Sequence, residues 1–221
     1  MNERHTFTVN KNCEVTVELN ENVFKPTGTS EELVKAVSEQ IEKPGKLLDL
    51  GCGSGVVGIA LYKSGKVLSK LYASDVSKEA TVLLKNNARK NNVKCDIRVG
   101  NIYDPWSGEK FDYIIDDISG ISEEIAKISP WFKKISCKSG ADGTSLVIKA
   151  ITDAPLYLVE GGKFFFPVLS LSNVKKIISH AHTVFQNVNR ISYRTWSLPE
   201  DIKKHKYKSS REHNELQKKC I

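Results

Sequence analysis

The sequence predicts a doubly wound α/β protein with a mostly parallel sheet, helices on both faces and a small N-terminal β-hairpin. From residue 46 onward, short apolar runs alternate with segments whose apolar residues recur at helical spacing. This alternation requires crossover connections, which join parallel strands within one sheet. The first of these runs, KLLDL, leads directly into glycines, as is typical of a buried parallel strand.

Local patterns place the individual elements. Residues 5–9 and 13–19 alternate apolar and polar side chains and predict the hairpin. Thr29, with Glu32 three residues later, predicts a capped helix that extends to Ile41. The other strands are predicted at 46–50, 68–75, 93–100, 111–117, 161–168 and 189–196. The other helices are predicted at 54–64, 77–91, 121–130, 144–154 and 171–184.

Length and composition indicate an ordinary globular protein. The chain has 221 residues, of which 40% are hydrophobic and 27% are charged. We expect residues 1–199 to form a single domain, with the hairpin in 1–22 and the core in 23–199, followed by a charged tail at 200–221. The sequence shows neither a bilayer-length apolar run nor a hydrophobic signal segment. A cytoplasmic protein without a membrane partner is therefore expected.

Charge and cysteine content narrow the possible partners. The formal net charge is +7, and the last 22 residues carry seven Lys/Arg against four Asp/Glu. Such a tail permits a nucleic-acid partner but is more often a solvated chain end. The five cysteines lack CxxC spacing, which argues against a zinc site or a disulfide framework. We therefore expect reduced thiols and no bound metal.

The most informative segment is a glycine-rich turn, LLDLGCGSGVVGIAL, between the first central strand and the next helix. Gly51, Gly53 and Gly55 allow the backbone to turn sharply and to approach a ligand closely. In doubly wound sheets, ligands bind at such carboxyl ends of strands. The turn therefore predicts a ligand site.

The details of this turn argue against two common nucleotide sites. A dinucleotide-binding turn would place its third glycine at position 56, where this chain has Val56. The Gly-Lys-Ser/Thr ending of a phosphate-binding Walker loop is absent from the turn. Asp49, two residues before the first glycine, is poorly suited to a pyrophosphate and well suited to a cationic ligand.

The segment DLGCGSG resembles motif I of the class I S-adenosylmethionine-dependent methyltransferases, which have a Rossmann-like fold. The resemblance implies S-adenosyl-L-methionine as cofactor, with Asp49 contacting its amino-acid part. It also implies that Asp75 hydrogen-bonds both ribose hydroxyls, that Val76 packs against adenine and that Asn101 meets the adenine amino group. The cofactor-binding residues implied are Thr27, Asp49, Gly51, Cys52, Gly53, Gly55, Asp75, Val76, Asn101, Ile102 and Asp117.

Two further segments are similar to the release-factor glutamine methyltransferases and related small-domain enzymes. They are VFKPTGTS, which in that group closes over the cofactor, and the stretch from KSGADG to FFFPV. With motif I, the resemblance covers roughly residues 22–185.

The acceptor motif departs from that group. The group has Asn-Pro-Pro-Tyr after its fourth strand, whereas this chain reads Asp117-Ile118-Ser119-Gly120. An aspartate can accept a hydrogen bond from an amine, so we expect Asp117 to orient the acceptor or to contact the cofactor, with Ser119 as a second catalytic candidate. A role for Asp117 as a simple loop cap is the alternative. Because side chains alternate along a strand, we expect only one of Asp116 and Asp117 to line the site.

Three functions remain open from the sequence. The first is N-methylation of a protein or small-molecule acceptor. The second is methylation of RNA or DNA, in which aromatic side chains stack a base. The third is a non-catalytic cofactor-binding adaptor that has lost its acceptor motif. The aromatic candidates of the second are Trp131, Phe132, Tyr193 and Trp196.

Overall fold

The computed structural model describes residues 3–10, 13–118, 120–209 and 218–220. The chain divides into two compact units. The first comprises Met1–Ile118 and Ala150–Phe166, and the second comprises Ser119–Lys149 and Pro167–Ile221. Within the described residues, no helix is long and apolar enough to cross a membrane.

The first unit is built on a five-stranded parallel sheet with flanking helices, together with an antiparallel N-terminal hairpin. Its strands are β1 Arg4–Asn10, β2 Cys13–Glu18, β3 Leu47–Leu50, β4 Leu71–Asp75, β5 Cys95–Val99, β6 Phe111–Asp116 and β7 Leu158–Phe165. The predicted fold class is therefore confirmed. All four residues of β3 are buried, including Asp49, as expected for a buried parallel strand.

The strand order in the sheet locates the expected ligand site. The order is β5-β4-β3-β6-β7, so the chain builds outward from β3 in one direction and resumes at β6 on its other side. In open α/β sheets, ligands bind at the carboxyl ends of the strands where the order reverses. Leu50 at the end of β3 pairs in register with Asp116 at the end of β6. The glycine turn and the two neighbouring aspartates therefore meet at this point.

The helices of the chain are α1 Gly28–Gln40, α2 Val56–Lys63, α3 Lys78–Lys90, α4 Glu123–Ile128, α5 Ser145–Asp153, α6 Val174–Val184 and α7 Glu200–Ser209. The first six agree in position with the predicted helical segments, whereas α7 lies where no helix was predicted. The predicted cap of α1 is wrong. The N-cap is Thr27, whose hydroxyl accepts a hydrogen bond from the Thr29 amide. Thr29 itself is buried inside the first turn. The helix begins earlier because Thr27, and not Thr29, has extended backbone geometry.

One buried side chain attaches the hairpin to the glycine turn. The Asn87 side chain on α3 accepts from the Glu18 amide at 2.8 Å and donates to the Glu18 carbonyl at 3.0 Å. Its amide nitrogen also donates to the Ser54 carbonyl at 2.8 Å, between Gly53 and Gly55. Asn87 is fully buried, so these bonds are shielded from water.

The second unit has a small apolar core of its own. Ile121, Leu171, Leu198 and Ile202 are buried in it, and Ile202 belongs to α7. Segment 200–221, expected to be a charged tail, thus contains a helix in which Ile202 is buried. It also contains the strand β9.

The prediction that 189–196 adds a sixth strand to the central sheet is wrong. Only Arg194–Trp196 forms a strand, β8, and it pairs antiparallel with β9, Lys218–Cys220, in a separate two-stranded sheet. The alternation that suggested a longer strand is not matched by burial, because Tyr193, Arg194 and Thr195 are all exposed.

Candidate active site

A buried carboxylate lies beneath the glycine turn. Asp49, in β3, is completely buried, and its Oδ2 accepts a hydrogen bond of 3.0 Å from the Gly58 amide in α2. Its Oδ1 is buried with no hydrogen-bond partner among the described residues. Burial, followed by the nearby Asp117 carboxylate, raises the pKa of Asp49 to about 8. Such a group is stabilised in its ionised form only when a cation or a donor reaches the unpaired oxygen.

The three glycines of the turn all have left-handed backbone conformations but differ in what surrounds them. The φ angles are +65° at Gly51, +50° at Gly53 and +83° at Gly55. A Cβ on Gly51 or Gly55 would overlap a neighbouring side chain, at 2.6 Å from Ile118 and 2.1 Å from Leu84. A Cβ on Gly53 would lie no closer than 3.8 Å to any atom. Gly53 is therefore the glycine of this turn with the most room around it, since an added Cβ would meet only ordinary van der Waals contacts.

Gly58 contributes to this site and was missed by the sequence analysis. It lies inside α2, where glycine is unfavourable. A Cβ at this position would stand 2.7 Å from the Asp49 Oδ2 atom. The absence of a side chain thus permits the amide to reach the carboxylate. A glycine in the interior of a helix, nine residues after an aspartate, was the only local signal available.

The acid at the end of β4 is bonded to the turn. Asp75 Oδ2 accepts from the Gly53 amide at 2.9 Å, and Oδ1 accepts from the Ser77 amide at 2.9 Å. Burial raises the pKa of Asp75, although both bonds favour its ionised form. Because each carboxylate oxygen can accept a second bond, both can still serve a diol. Ser77, and not Asp75, is the N-cap of the helix that follows, so Asp75 is not needed to cap it.

Apolar and polar groups frame the ends of β4 and β5. Val76 is 73% exposed, an unusual state for a valine that follows a buried strand. Asn101 is also exposed, whereas Ile102 is buried with a φ of +49°. A β-branched residue in the left-handed region is strained, and such strain is concentrated at functional sites. No local sequence pattern indicates this backbone conformation.

Two adjacent aspartates at the end of β6 have different environments. Asp116 is buried; its Oδ1 accepts from the Ile118 amide at 2.9 Å, and its Oδ2 has no partner within the described part of the chain. Burial, followed by the charge of Asp117, raises the pKa of Asp116 to about 8. Asp117 is half-buried, and its Oδ2 accepts from the Ser30 hydroxyl at 2.7 Å. Asp117 is therefore the more accessible of the two.

The remaining predicted residues are placed as follows. Thr27 caps α1, so its hydroxyl is already used there. Cys52 closes the glycine turn through its backbone: its amide donates to the Ser74 carbonyl, and its carbonyl accepts from the Gly55 amide. Burial, followed by the Asp49 charge, raises the pKa of the Cys52 thiol, so the thiol is held neutral. Ser119 lies outside the described residues.

The aromatic residues considered for base stacking belong to the second unit. Trp131 and Phe132 are partly buried against its apolar core. Tyr193 is 46% exposed, and the Arg190 guanidinium carbon lies 5.5 Å from the centre of its ring. The structure thus assigns a packing role to the first two and leaves the ring of Tyr193 at the surface.

Comparison with known proteins relates this chain to methyltransferases. Residues 15–117 match the family model of the methyltransferase small domain. The release factor glutamine methyltransferase of Streptococcus pneumoniae is 28% identical over 158 residues, which cover 69% of this chain. The match covers 56% of the length of that relative.

Solved structures extend the likeness to the fold. The ribosomal protein L11 methylase of Lactobacillus delbrueckii superposes with a TM-score of 0.62 at 16% identity, covering 98% of this chain and 96% of that one. The T. thermophilus 16S rRNA methyltransferase, solved with AdoMet and guanosine, gives a TM-score of 0.61 at 18% identity, covering 89% of this chain and 48% of that one.

The fold is that of the S-adenosylmethionine-dependent methyltransferases. Within it, the stretch from the second hairpin strand to Asp117 matches the methyltransferase small domain. The glycine turn and the four aspartates 49, 75, 116 and 117 all lie in or directly at the borders of that matched segment.

Proposed function

We propose that this chain transfers the methyl group of S-adenosyl-L-methionine to a nitrogen atom of a protein or small-molecule acceptor. The observation that carries this proposal is the Oδ1 of Asp49, which is buried without a hydrogen-bond partner among the described residues, beneath a glycine turn that has the most room at Gly53. A buried acceptor oxygen in a site rich in carboxylates favours a cationic ligand.

The residues present fit this cofactor. Asp49 offers an acceptor to a positively charged group, and Asp75 retains lone pairs for two hydroxyls. The exposed side chain of Val76 offers apolar surface to a flat ring. A turn built for a pyrophosphate would instead present donors without a carboxylate directly below them.

The chemistry that the cofactor supplies when bound is an activated methyl group on a sulfonium centre. The protein then has to orient the acceptor and exclude water. It needs no strong base when the acceptor is an amine or amide that loses its proton late. We assign the orienting role to Asp117, whose half-buried carboxylate directly follows β6 beside the glycine turn. The similarity to a release factor glutamine methyltransferase supports a nitrogen acceptor.

Two measurements test the proposal in sequence. Titration calorimetry with S-adenosylmethionine should show saturable binding; heats equal to dilution would refute the cofactor assignment. The purified protein is then incubated with a cell lysate and methyl-labelled cofactor, and label is counted in protein, RNA and small-molecule fractions. Label in RNA alone would refute a protein or small-molecule acceptor and would support methylation of nucleic acid. Cofactor binding without label in any fraction would favour the adaptor.

Asp117 is tested in the labelled fraction. Asp117→Ala should still bind cofactor but lose turnover, because the interaction is made with the acceptor in the transition state. Asp117→Asn keeps an acceptor oxygen and should retain part of the activity. Asp201→Ala, which removes an exposed carboxylate of α7, is the matched control. Wild-type turnover in both Asp117 variants would reduce this residue to a loop cap.

A further inference from the structure

A hydroxyl on the first helix is bonded to the carboxylate to which we assign acceptor orientation. Ser30, the third residue of α1, is 4% exposed, and its Oγ donates to Asp117 Oδ2 at 2.7 Å. The two residues are 87 positions apart in the sequence. A bond of this length to a carboxylate oxygen is a charge-assisted hydrogen bond, roughly twice as strong as a neutral one.

The chain leading into α1 reaches the glycine turn as well. The Phe24 carbonyl oxygen lies 3.8 Å from the position that a Gly53 Cβ would occupy, and a Val23 methyl lies 4.0 Å from it. Val23 is buried against Ala80 and Leu83 of α3, which fixes this end of the segment. Residues 23–30 therefore border the cofactor side of the site at one end and Asp117 at the other.

The start of α1 also favours a negative charge at Asp117. Thr27 caps the helix, and Ser30 lies in its first turn, where unpaired amide groups and the helix dipole stabilise anions. The carboxylate is thus held by a directed bond at a helix start that favours its charge, whereas the nearby Asp49 and Asp116 carboxyls oppose that charge when they are ionised.

We infer that Ser30 is a positioning residue for the methyl-transfer site: its hydroxyl fixes the orientation of the Asp117 carboxylate and favours its ionised form. The inference rests on the proposed function for the role of Asp117, and it adds a residue from outside the glycine turn and the strand ends. In this arrangement, the segment 23–30 links the loop that receives the cofactor to the group that meets the acceptor.

The same helix supplies a matched control. The Ser38 hydroxyl is also buried in α1 but has no hydrogen-bond partner among the described residues. Ser38→Ala therefore removes an equivalent buried hydroxyl without disturbing a carboxylate. Ser30→Ala removes the bond, and Ser30→Thr retains a hydroxyl at the same position.

The test follows the Asp117 carboxyl carbon by NMR during a pH titration, with the resonance assigned from its loss in Asp117→Asn. Ser30→Ala should move the titration midpoint upward by about half a unit or more, because the carboxylate loses a bond to its charged form. Ser38→Ala should leave the midpoint unchanged, and Ser30→Thr should restore it. The neighbouring carboxyls, Asp49 and Asp116, are present in all three variants and provide a common background.

Equal titration midpoints in Ser30→Ala and Ser38→Ala would overturn the inference, whether both match the wild type or both are shifted upward. Urea unfolding of each variant shows whether it is folded, and Ser30→Thr provides the second test if Ser30→Ala is not. Ser30→Thr keeps a hydroxyl, so its titration midpoint should match the wild type. A folded Ser30→Thr protein with a midpoint about half a unit or more above the wild type would also contradict the role inferred for Ser30. Calorimetry with S-adenosylmethionine on the wild-type sample reports separately on the proposed function.

Discussion

The buried Asp116 carboxyl makes the stability of the free protein depend on pH. Folding raises its pKa from 3.8 to about 8, chiefly by burial. The folded state therefore binds this proton more tightly than the unfolded state throughout that interval. Since the proton is lost first from unfolded chains, the contribution of Asp116 to stability is fully present below about pH 4 and is lost as the pH rises toward about 8.

The replacement Asp116→Asn removes this dependence while keeping the oxygen that accepts from the Ile118 amide. A rise of about four units in the pKa of Asp116, at about 1.4 kcal/mol per unit, corresponds to at most about 5–6 kcal/mol of unfolding free energy. Between pH 5 and pH 8, the variant should gain about 3–4 kcal/mol of unfolding free energy relative to wild type.

Urea unfolding at pH 5, 6, 7 and 8 measures this gain directly. The exposed Asp104→Asn exchange makes the same chemical change on the surface of the same unit and serves as the control. If the unfolding free energies of Asp116→Asn and wild type differ by the same amount at pH 5 and pH 8, the reasoning is refuted. A carboxyl whose pKa is raised by folding must change its contribution to stability over this pH range.

Three further predictions follow from contacts of the glycine turn. Asp75→Ala should weaken S-adenosylmethionine binding strongly, because hydrogen bonds to a charged acceptor contribute about 1.5–3 kcal/mol each; an affinity within threefold of wild type by calorimetry would contradict the ribose assignment. Gly53→Val should abolish S-adenosylmethionine binding while circular dichroism shows a folded protein. Gly55→Ala should lower the urea midpoint, because its Cβ would stand 2.1 Å from an α3 side chain. The reverse pattern would assign ligand binding to Gly55 and stability to Gly53. Asn87→Ala should reduce the unfolding free energy by about 2–3 kcal/mol, because three buried bonds are lost; a loss below about 0.5 kcal/mol would show that the hairpin is held by other contacts.

The sheet and its helices were predictable because each element carries its own local pattern. Each of these patterns lies within one short stretch of sequence, as in the apolar run of β3, the glycines after it and the periodic residues of α3. Burial then follows from period and run length alone. The short β8 shows the limit of this reasoning, because alternation alone does not reveal whether a neighbouring strand is present.

The site was predictable to the extent that it lies at strand ends. Asp49, Asp75 and Asp117 could be placed from the ends of their strands, because parallel strands bring these ends to one edge. The bond from Ser30 to Asp117 joins positions 87 residues apart, and nothing local in either segment indicates it. The left-handed conformation of Ile102 was likewise unpredictable, because tertiary packing sustains it against the preference of its side chain.

The interior glycine of α2 has a consequence for engineering this protein. Replacing a helical glycine by alanine is a common way to stabilise a protein, with an expected gain of about 0.5–1 kcal/mol. At Gly58 the new methyl group would stand 2.7 Å from a buried carboxylate oxygen and 2.7 Å from a Leu71 methyl group, so the usual gain is reversed. A stabilisation campaign guided by helix propensity would choose this position early and lose ligand binding with it. The residue should be held fixed in any such library.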